Sequence, residues 1–302
     1  MDLFRGTIQD WETWSQVYCS MELFEPLARE IYRRHAIPFS GLSALTPGTN
    51  AVFRAGDTVV KIYAPAETTI EPDWAELGGL QHARAAGVQV PALLTWGELH
   101  DRYAFRYLIM EHISGREAGD CIASLSQGDK AALATELKAV TERWGIPCTS
   151  RDVPDNVAAN VYINTRWHPF PTQLQRDALD AAKALEQAGS ADFVYVHGDL
   201  TGENVLLTDR GLRVIDFGDS HVAPPWYEWP PVIFELFRCD AAMMTAYFGD
   251  YQTPAFYRTL TDAILLHDFG GDIVMTHCRR IGMDIQAVTD RDALQALLEQ
   301  SV

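Results

Sequence analysis

Two periods govern the spacing of apolar residues along this chain, and the changes between them mark out its elements. Residues 21–35 put Leu23, Leu27 and Ile31 one helical turn apart and run into Ile37 and Pro38, which predicts a helix that stops there. From residue 51 the period becomes two. Runs at 51–55 and 58–63 flank Gly56 and Asp57, and runs at 91–99 and 103–110 flank His100 and Asp101, which predicts two hairpins. Between the hairpins, residues 71–86 return to the helical period with Leu77, Leu80 and Ala83 on one face.

After Gly115 the helical period dominates. Ser126 can cap a helix whose Leu133, Leu137, Val140 and Trp144 recur at helical spacing. A second helix is predicted over 171–188, with Pro171 at its start and Gly189 at its end. Three short apolar runs follow at 192–196, 204–208 and 212–216, the last two joined by a turn around Asp209 and Gly211. From Pro231 onward the pattern is helical again. These elements predict an α+β fold of two lobes. A small β-rich N-lobe would span 1–112 and a larger, mainly helical C-lobe 113–302, with the boundary near 111–115. A cleft between such lobes suits a nucleotide.

Composition narrows the class. The chain has 302 residues, 47% hydrophobic and 22% charged, as expected of a globular enzyme. No apolar run approaches the roughly 20 residues that span a bilayer, and Asp2, Asp10 and Glu12 are unlike a secretory leader. The five cysteines form no CxxC pair, which suits reduced thiols in the cytoplasm and no zinc site. A net charge of −17 argues against nucleic acid and anionic membrane as partners and is compatible with a cationic small molecule. Acidity for solubility alone fits the number equally well.

The chemistry concentrates in one stretch. His197, Gly198 and Asp199 are followed by Asn204 and then by Asp216, Phe217 and Gly218. The hairpin predicted over 204–216 returns Asp216 to the neighbourhood of Asn204, so oxygen-bearing side chains converge at one end of a small sheet. Such a set suits a hard cation such as Mg²⁺. Asp, then Asn, then Asp at this spacing is what phosphoryl transfer needs: a base beside the attacking hydroxyl and two cation ligands. Turn chemistry uses the same residue types without requiring this order.

Lys61 sits on the apolar run 58–63. It either reaches the phosphates with a carboxylate partner or extends to solvent from an edge strand. Glu76 is the better partner than Glu71, because Leu80 and Ala83 follow it on the packing face. Residues 47–50, with Thr49 and Asn50, form the loop expected over the phosphates, although a plain hairpin loop would look the same. Residues 108–113 offer backbone groups to an adenine or are simply core strand.

These residues resemble a family. His197, Gly198, Asp199, Asn204 and Asp216 are similar to the signature of the aminoglycoside phosphotransferase and choline kinase group, which shares the protein-kinase fold. Gly198, where eukaryotic protein kinases carry Arg, and Thr49–Asn50 point the same way. Segments 22–29, 87–91, 196–200 and 266–269 look most similar to hygromycin B phosphotransferases. The resemblance implies Met110 as gatekeeper and Glu111 and Ile113 as hinge backbone. It also implies Asp199 as catalytic base, Asn204 and Asp216 on Mg²⁺, and a nucleotide substrate, ATP or GTP. Two segments depart from the family pattern, the run 219–229 and the stretch 148–171, and both lie where such enzymes bind their acceptor. Candidate acceptor residues are Asp219, Glu228, Asp268 and Asp272 for ammonium groups and Trp226, with Trp167 and Tyr227, for ring stacking. Surface or capping roles fit each of these equally well. His197 is expected to orient the catalytic loop, and His267 and His277 to be structural. The expected enzyme is a monomeric, ATP- and Mg²⁺-dependent kinase of an aminoglycoside hydroxyl that confers resistance, or else a kinase of a metabolite such as choline, an amino acid or a sugar amine.

Overall fold

The computed structural model describes residues 2–46, 48–68, 74–147, 157–189 and 192–302. Pro47, Glu71 and residues 148–156 of the unassigned stretch 148–171 therefore lie outside the described residues. The chain divides into two compact units, 1–74 with 91–114, and 75–90 with 115–302.

In the first unit, helices α1 (Trp11–Ser15) and α2 (Met21–Arg34) precede strands β1 (Ser43–Ala44), β2 (Ala51–Ala55) and β3 (Thr58–Ile62), with β4 (Leu93–His100) and β5 (Ala104–Glu111) completing a sheet. The strand order is β1-β2-β3-β5-β4, and all pairings are antiparallel. Both predicted hairpins are present and meet through β3 and β5, where Lys61 pairs with Leu108 and Val59 with Met110. One face buries Phe53, Val60, Phe105, Tyr107 and Ile109 against Phe24, Leu27 and Ile31 of α2. Each such side chain contributes about 1.5–3 kcal/mol on burial. Pro26 lies inside α2, where its missing N–H removes one i→i−4 hydrogen bond, to the Glu22 carbonyl.

The N-terminal segment before α2 was not legible by period. It runs along the end of the sheet that carries the β1–β2 loop, the end of β3 and the β4–β5 turn. Asp101 Oδ2 accepts the N–H groups of Leu3 and Phe4 at 2.9 and 3.0 Å, and the Tyr103 hydroxyl accepts from Ile8 N–H at 2.8 Å. Phe4 packs edge-on against Tyr103 and Phe105.

The second unit begins with α3 (Ala75–Ala85), whereas the order of elements along the chain predicts this helix in the first lobe. Its packing explains the difference. A Cβ on Gly79 would lie 2.9 Å from the Tyr195 hydroxyl and 3.0 Å from Phe217, so the glycine lets the helix approach them closely. The His82 ring packs 4.4 Å from that of Tyr195, and its Nε2 donates to the Trp144 carbonyl. Next come β6 (Arg116–Glu117), α4 (Ala118–Cys121), α5 (Gln127–Trp144), α6 (Val157–Ile163) and α7 (Thr172–Ala188). Ser126 caps α5 as expected, accepting from Asp129 N–H.

Strands β7 (Val194–Val196), β8 (Val205–Thr208), β9 (Gly211–Val214) and β10 (His221–Ala223) form two small sheets, β6-β8-β9 and β7-β10. A π-helical turn, Pro231–Leu236, leads to α8 (Ala241–Phe248), α9 (Pro254–Leu266), α10 (Gly270–Ile281) and α11 (Arg291–Ser301). Among the described residues, no helix is long and apolar enough to cross a membrane.

Candidate active site

The loop after β7 is held in place by buried groups on every side. His197 is fully buried, stacked on Trp144 and packed 4.7 Å from Phe217. Its Nε2 lies 3.0 Å from the Ile215 carbonyl, which can only accept, so Nε2 carries the proton. Nδ1 is then free to accept the Asp199 N–H at 3.2 Å. One imidazole thus ties the residue before Asp216 to the residue expected as base. Both ring nitrogens of His197 are therefore committed to the backbone of this loop and of the strand end before Asp216.

Asn204 completes the link. Its Nδ2 donates to the Asp199 carbonyl and to Asp199 Oδ2, both at 2.8 Å. Because the amide nitrogen faces Asp199, Oδ1 is the atom left for a cation. Ile215 N–H donates to the Asn204 carbonyl at 3.0 Å, so Asp216 begins one residue beyond a bond to Asn204. The hairpin return expected from sequence is therefore present. Asp216 adopts φ of +59°, a left-handed conformation uncommon outside glycine. The turn behind it is fixed by a chain of hydroxyls: Tyr195 donates to Ser220 Oγ at 2.9 Å, and Ser220 donates to the Phe217 carbonyl at 2.7 Å.

Burial raises the Asp199 carboxyl to about 6, and the nearby Asp216 carboxylate adds to the effect. The Asn204 hydrogen bond opposes the rise, whereas the charges of Glu203 and Glu235 support it. A carboxyl poised near neutrality is suited to proton transfer. Glu203 lay inside the recognised motif without being singled out. Glu235 is on the π-helical turn, and nothing in its local sequence marks it.

Asn204 and Asp216 offer an amide oxygen and a carboxylate. That sparse, all-oxygen set fits Mg²⁺, which binds through one or two protein ligands and keeps waters and substrate phosphates in its shell.

The acceptor candidates separate. Asp219 is exposed, and its carbonyl lies against Gly198. Trp226 is half-buried. Glu228 is placed otherwise than expected: it is 3% exposed, and its two carboxyl oxygens accept the N–H groups of His197 and Gly198 at 2.6 and 3.2 Å. Complete burial pushes its carboxyl up to about 8, partly offset by those two bonds. Its side chain is committed to the backbone of the loop.

Asp268 and Asp272 are also engaged. Arg166 donates to both, Nη1 to Asp268 at 3.3 Å and Nε to Asp272 at 2.9 Å, while its guanidinium lies over Phe269. Trp167 and Tyr227 are core residues. Trp167 packs on Phe170, and the Tyr227 ring lies between His221 and His267, its hydroxyl accepting from Asp268 N–H. Residues 164–170 of the unassigned stretch thus fold onto the start of α10. His277, buried as expected of a structural histidine, bonds Ser301 and Arg280.

In the first unit, Lys61 is buried on β3 and packs over the Tyr63 ring. Glu76, on the first turn of α3 in the second unit, is buried as well. Thr49 is exposed, and Asn50 Oδ1 accepts Ala64 N–H at 3.3 Å. Met110 is buried. Glu111 N–H donates to Ala92 and His112 N–H to Asp57, both at 2.9 Å, so these two donors are committed within the sheet. Ile113 follows, half-buried.

The sequence pattern described as the phosphotransferase enzyme family matches residues 47–270. Curated protein sequences contain no significant match to the chain. Among solved structures, the complex of APH(2″)-IIia with GDP and kanamycin is 16% identical, with a TM-score of 0.61 over 92% of this chain and 97% of that one. A thermostable mutant of the aminoglycoside phosphotransferase APH(4)-Ia, in a ternary complex with ADP and hygromycin B, is 17% identical, with a TM-score of 0.59 over 90% and 97%. A choline/ethanolamine kinase family protein from Mesorhizobium loti is 18% identical, with a TM-score of 0.54 over 91% and 94%. At these identities the likeness concerns the fold, a protein-kinase-like α+β architecture with a small antiparallel sheet and a larger helical part.

Proposed function

The chain belongs to the phosphotransferase enzyme family, and from that premise we propose that it transfers the γ-phosphoryl group of ATP to a hydroxyl of an aminoglycoside of the hygromycin B kind. The observation that carries the reading is the Asp199–Asn204 pair, fixed by two 2.8 Å hydrogen bonds on a loop whose backbone is held by His197 and Glu228. A base held this firmly loses little freedom when the acceptor arrives, and positioning is most of what a loose phosphoryl-transfer transition state requires.

Asp199 Oδ1 or Oδ2 would accept the proton of the acceptor hydroxyl as its oxygen attacks the γ-phosphorus, and ADP would leave. Asn204 and Asp216 would hold Mg²⁺, which when bound neutralises charge on the phosphate oxygens. Lys61 would hold the α- and β-phosphates, with Glu76 as the buried counter-charge such a lysine calls for. Thr49 and Asn50 would cover the phosphates, and Glu111 and Ile113 would meet the base edge beside Met110. The carboxylates that act on Asp199, namely Asp216, Glu203 and Glu235, favour a cationic acceptor, and the exposed Asp219 and half-buried Trp226 are the candidates for ammonium contact and ring stacking. Asp268 and Asp272 are secondary candidates because Arg166 already neutralises them.

A second reading is favoured by one observation: the choline/ethanolamine kinase family protein is 18% identical to this chain, against 17% for the hygromycin B complex, although its TM-score is lower, 0.54 against 0.59. On that reading the acceptor is a hydroxylated metabolite carrying an amine or quaternary ammonium. An ADP-release assay with ATP or GTP separates the two, offering hygromycin B, kanamycin, choline, ethanolamine and amino sugars as acceptors. It is paired with growth of an expressing strain on hygromycin B. Turnover confined to a metabolite would reject the aminoglycoside reading, and no turnover on any acceptor would reject both.

A further inference from the structure

The family pattern begins at residue 47, yet the structure builds the preceding segment onto the loop with which the family match opens. Trp14, fully buried in α1, donates its indole N–H to the carbonyl of Thr49 at 2.9 Å. We propose that Trp14 is a positioning residue for the nucleotide loop, and that the segment 2–18 is a strap that carries it there. This rests on the reading of Thr49 and Asn50 as the loop over the phosphates.

The geometry gives the bond a directional consequence. In a trans peptide the C=O of one residue and the N–H of the next point in opposite directions. With the Thr49 carbonyl turned toward the indole, the N–H of Asn50 is directed away from the aromatic core, as a donor for an anionic oxygen. The Asn50 side chain is fixed from the other side, where Oδ1 accepts the N–H of Ala64, two residues beyond the end of β3. A loop with a single glycine is thereby held without the glycine-rich backbone that usually shapes a phosphate cradle.

The strap itself is anchored independently of the loop. Its N-terminal end is bonded to the β4–β5 hairpin through Asp101 and Tyr103. Asp10 and Thr13 form a reciprocal capping box that sets the start of α1, and α1 lies against the turn Ala66–Thr68. Trp14 stacks on Tyr18 and meets Phe24 edge-on, so its indole orientation is set by packing. What reaches the loop is one hydrogen bond from a rigid donor. Holding a phosphate-binding loop in its bound conformation lowers the ordering cost of nucleotide binding, and this acts on affinity more than on the chemical step.

The test is steady-state kinetics on the full-length chain with Trp14→Phe and with Trp14 replaced by benzothienylalanine, which keeps the ring volume and removes only the N–H. Loss of one neutral hydrogen bond should raise the nucleotide KM about 3- to 10-fold, leaving kcat at saturating nucleotide and the acceptor KM within about twofold. Tyr103→Phe, which removes the acceptor of Ile8 N–H midway along the strap, is the control for general loosening. A nucleotide KM that stays within twofold of wild type in the benzothienyl enzyme would overturn the proposal. So would an equal rise in Tyr103→Phe at matched thermal stability. Wild-type nucleotide binding, measured first by calorimetry, separates the two levels: its absence defeats the phosphoryl-transfer reading and this inference with it. Normal binding that is insensitive to Trp14 defeats this inference alone.

Discussion

The carbonyl oxygen of Asp219 occupies the space that a side chain on Gly198 would need. Gly198 has φ of +83°, and a Cβ built on it would overlap that oxygen. Both facts demand glycine, one for backbone conformation and one for volume. The close approach joins the loop bearing Asp199 to the turn that follows Asp216, so the two carboxylates of the candidate site share one piece of rigid backbone.

Gly198→Ala should therefore separate the two segments. The left-handed conformation and the overlap together should cost about 2–3 kcal/mol of stability, read as a fall in melting temperature on the order of 5 °C. Turnover should fall at least 10-fold, because the base and the cation ligands move relative to each other. Calorimetry and initial rates measured on the same preparation check this.

The buried Glu228 gives stability a pH dependence. Its carboxyl is near 8 in the folded protein and near 4.5 when exposed by unfolding, so between those values the folded state holds a proton that the unfolded state has released. Stability should fall as pH rises through this window, by up to about 1.4 kcal/mol per pH unit from this group. Glu228→Gln should flatten that slope. It should also lower kcat, since the amide nitrogen cannot accept from the loop N–H groups. Urea unfolding midpoints at pH 5, 6, 7 and 8 for both proteins provide the comparison.

The acceptor carboxylates should behave unequally. Asp219→Asn, an exposed group whose backbone carbonyl lies against Gly198, should raise the KM of a cationic acceptor about 10-fold if it makes the proposed charge-assisted contact. Asp272→Asn should change it by less than about twofold, because Arg166 already pairs with that carboxylate. Equal effects of the two substitutions would show that the Arg166 pair opens when acceptor binds.

The contrast between Asp219 and Glu228 shows where sequence stops being informative. Both lie in the run 219–229 and both were candidates for ammonium contact. Glu228 is instead turned inward by a residue 31 positions earlier in the chain, and no local pattern encodes that. Arg166 likewise answers Asp268 and Asp272 from 102 and 106 positions away. By contrast, the two hairpins of the first unit could be read from alternation alone, and the Asn204–Asp216 return from a short turn between two apolar runs. Helix α3 carries its packing partner in Gly79, which sequence presents as a weak point in a helix and structure uses for close approach to Tyr195 and Phe217. The N-terminal strap had no period to read, because it is held by backbone N–H groups on Asp101 and Tyr103 rather than by an apolar face.

The central claim is that Asp199 serves a phosphoryl transfer. Its most direct test is Asp199→Asn, assayed for ADP release with an active acceptor and for nucleotide binding by calorimetry. Asn keeps the shape and the oxygen that accepts from Asn204, and removes the proton acceptor. The account predicts a fall in kcat of about 10²–10⁴-fold with nucleotide affinity within about threefold of wild type. Turnover near the wild-type rate would contradict it.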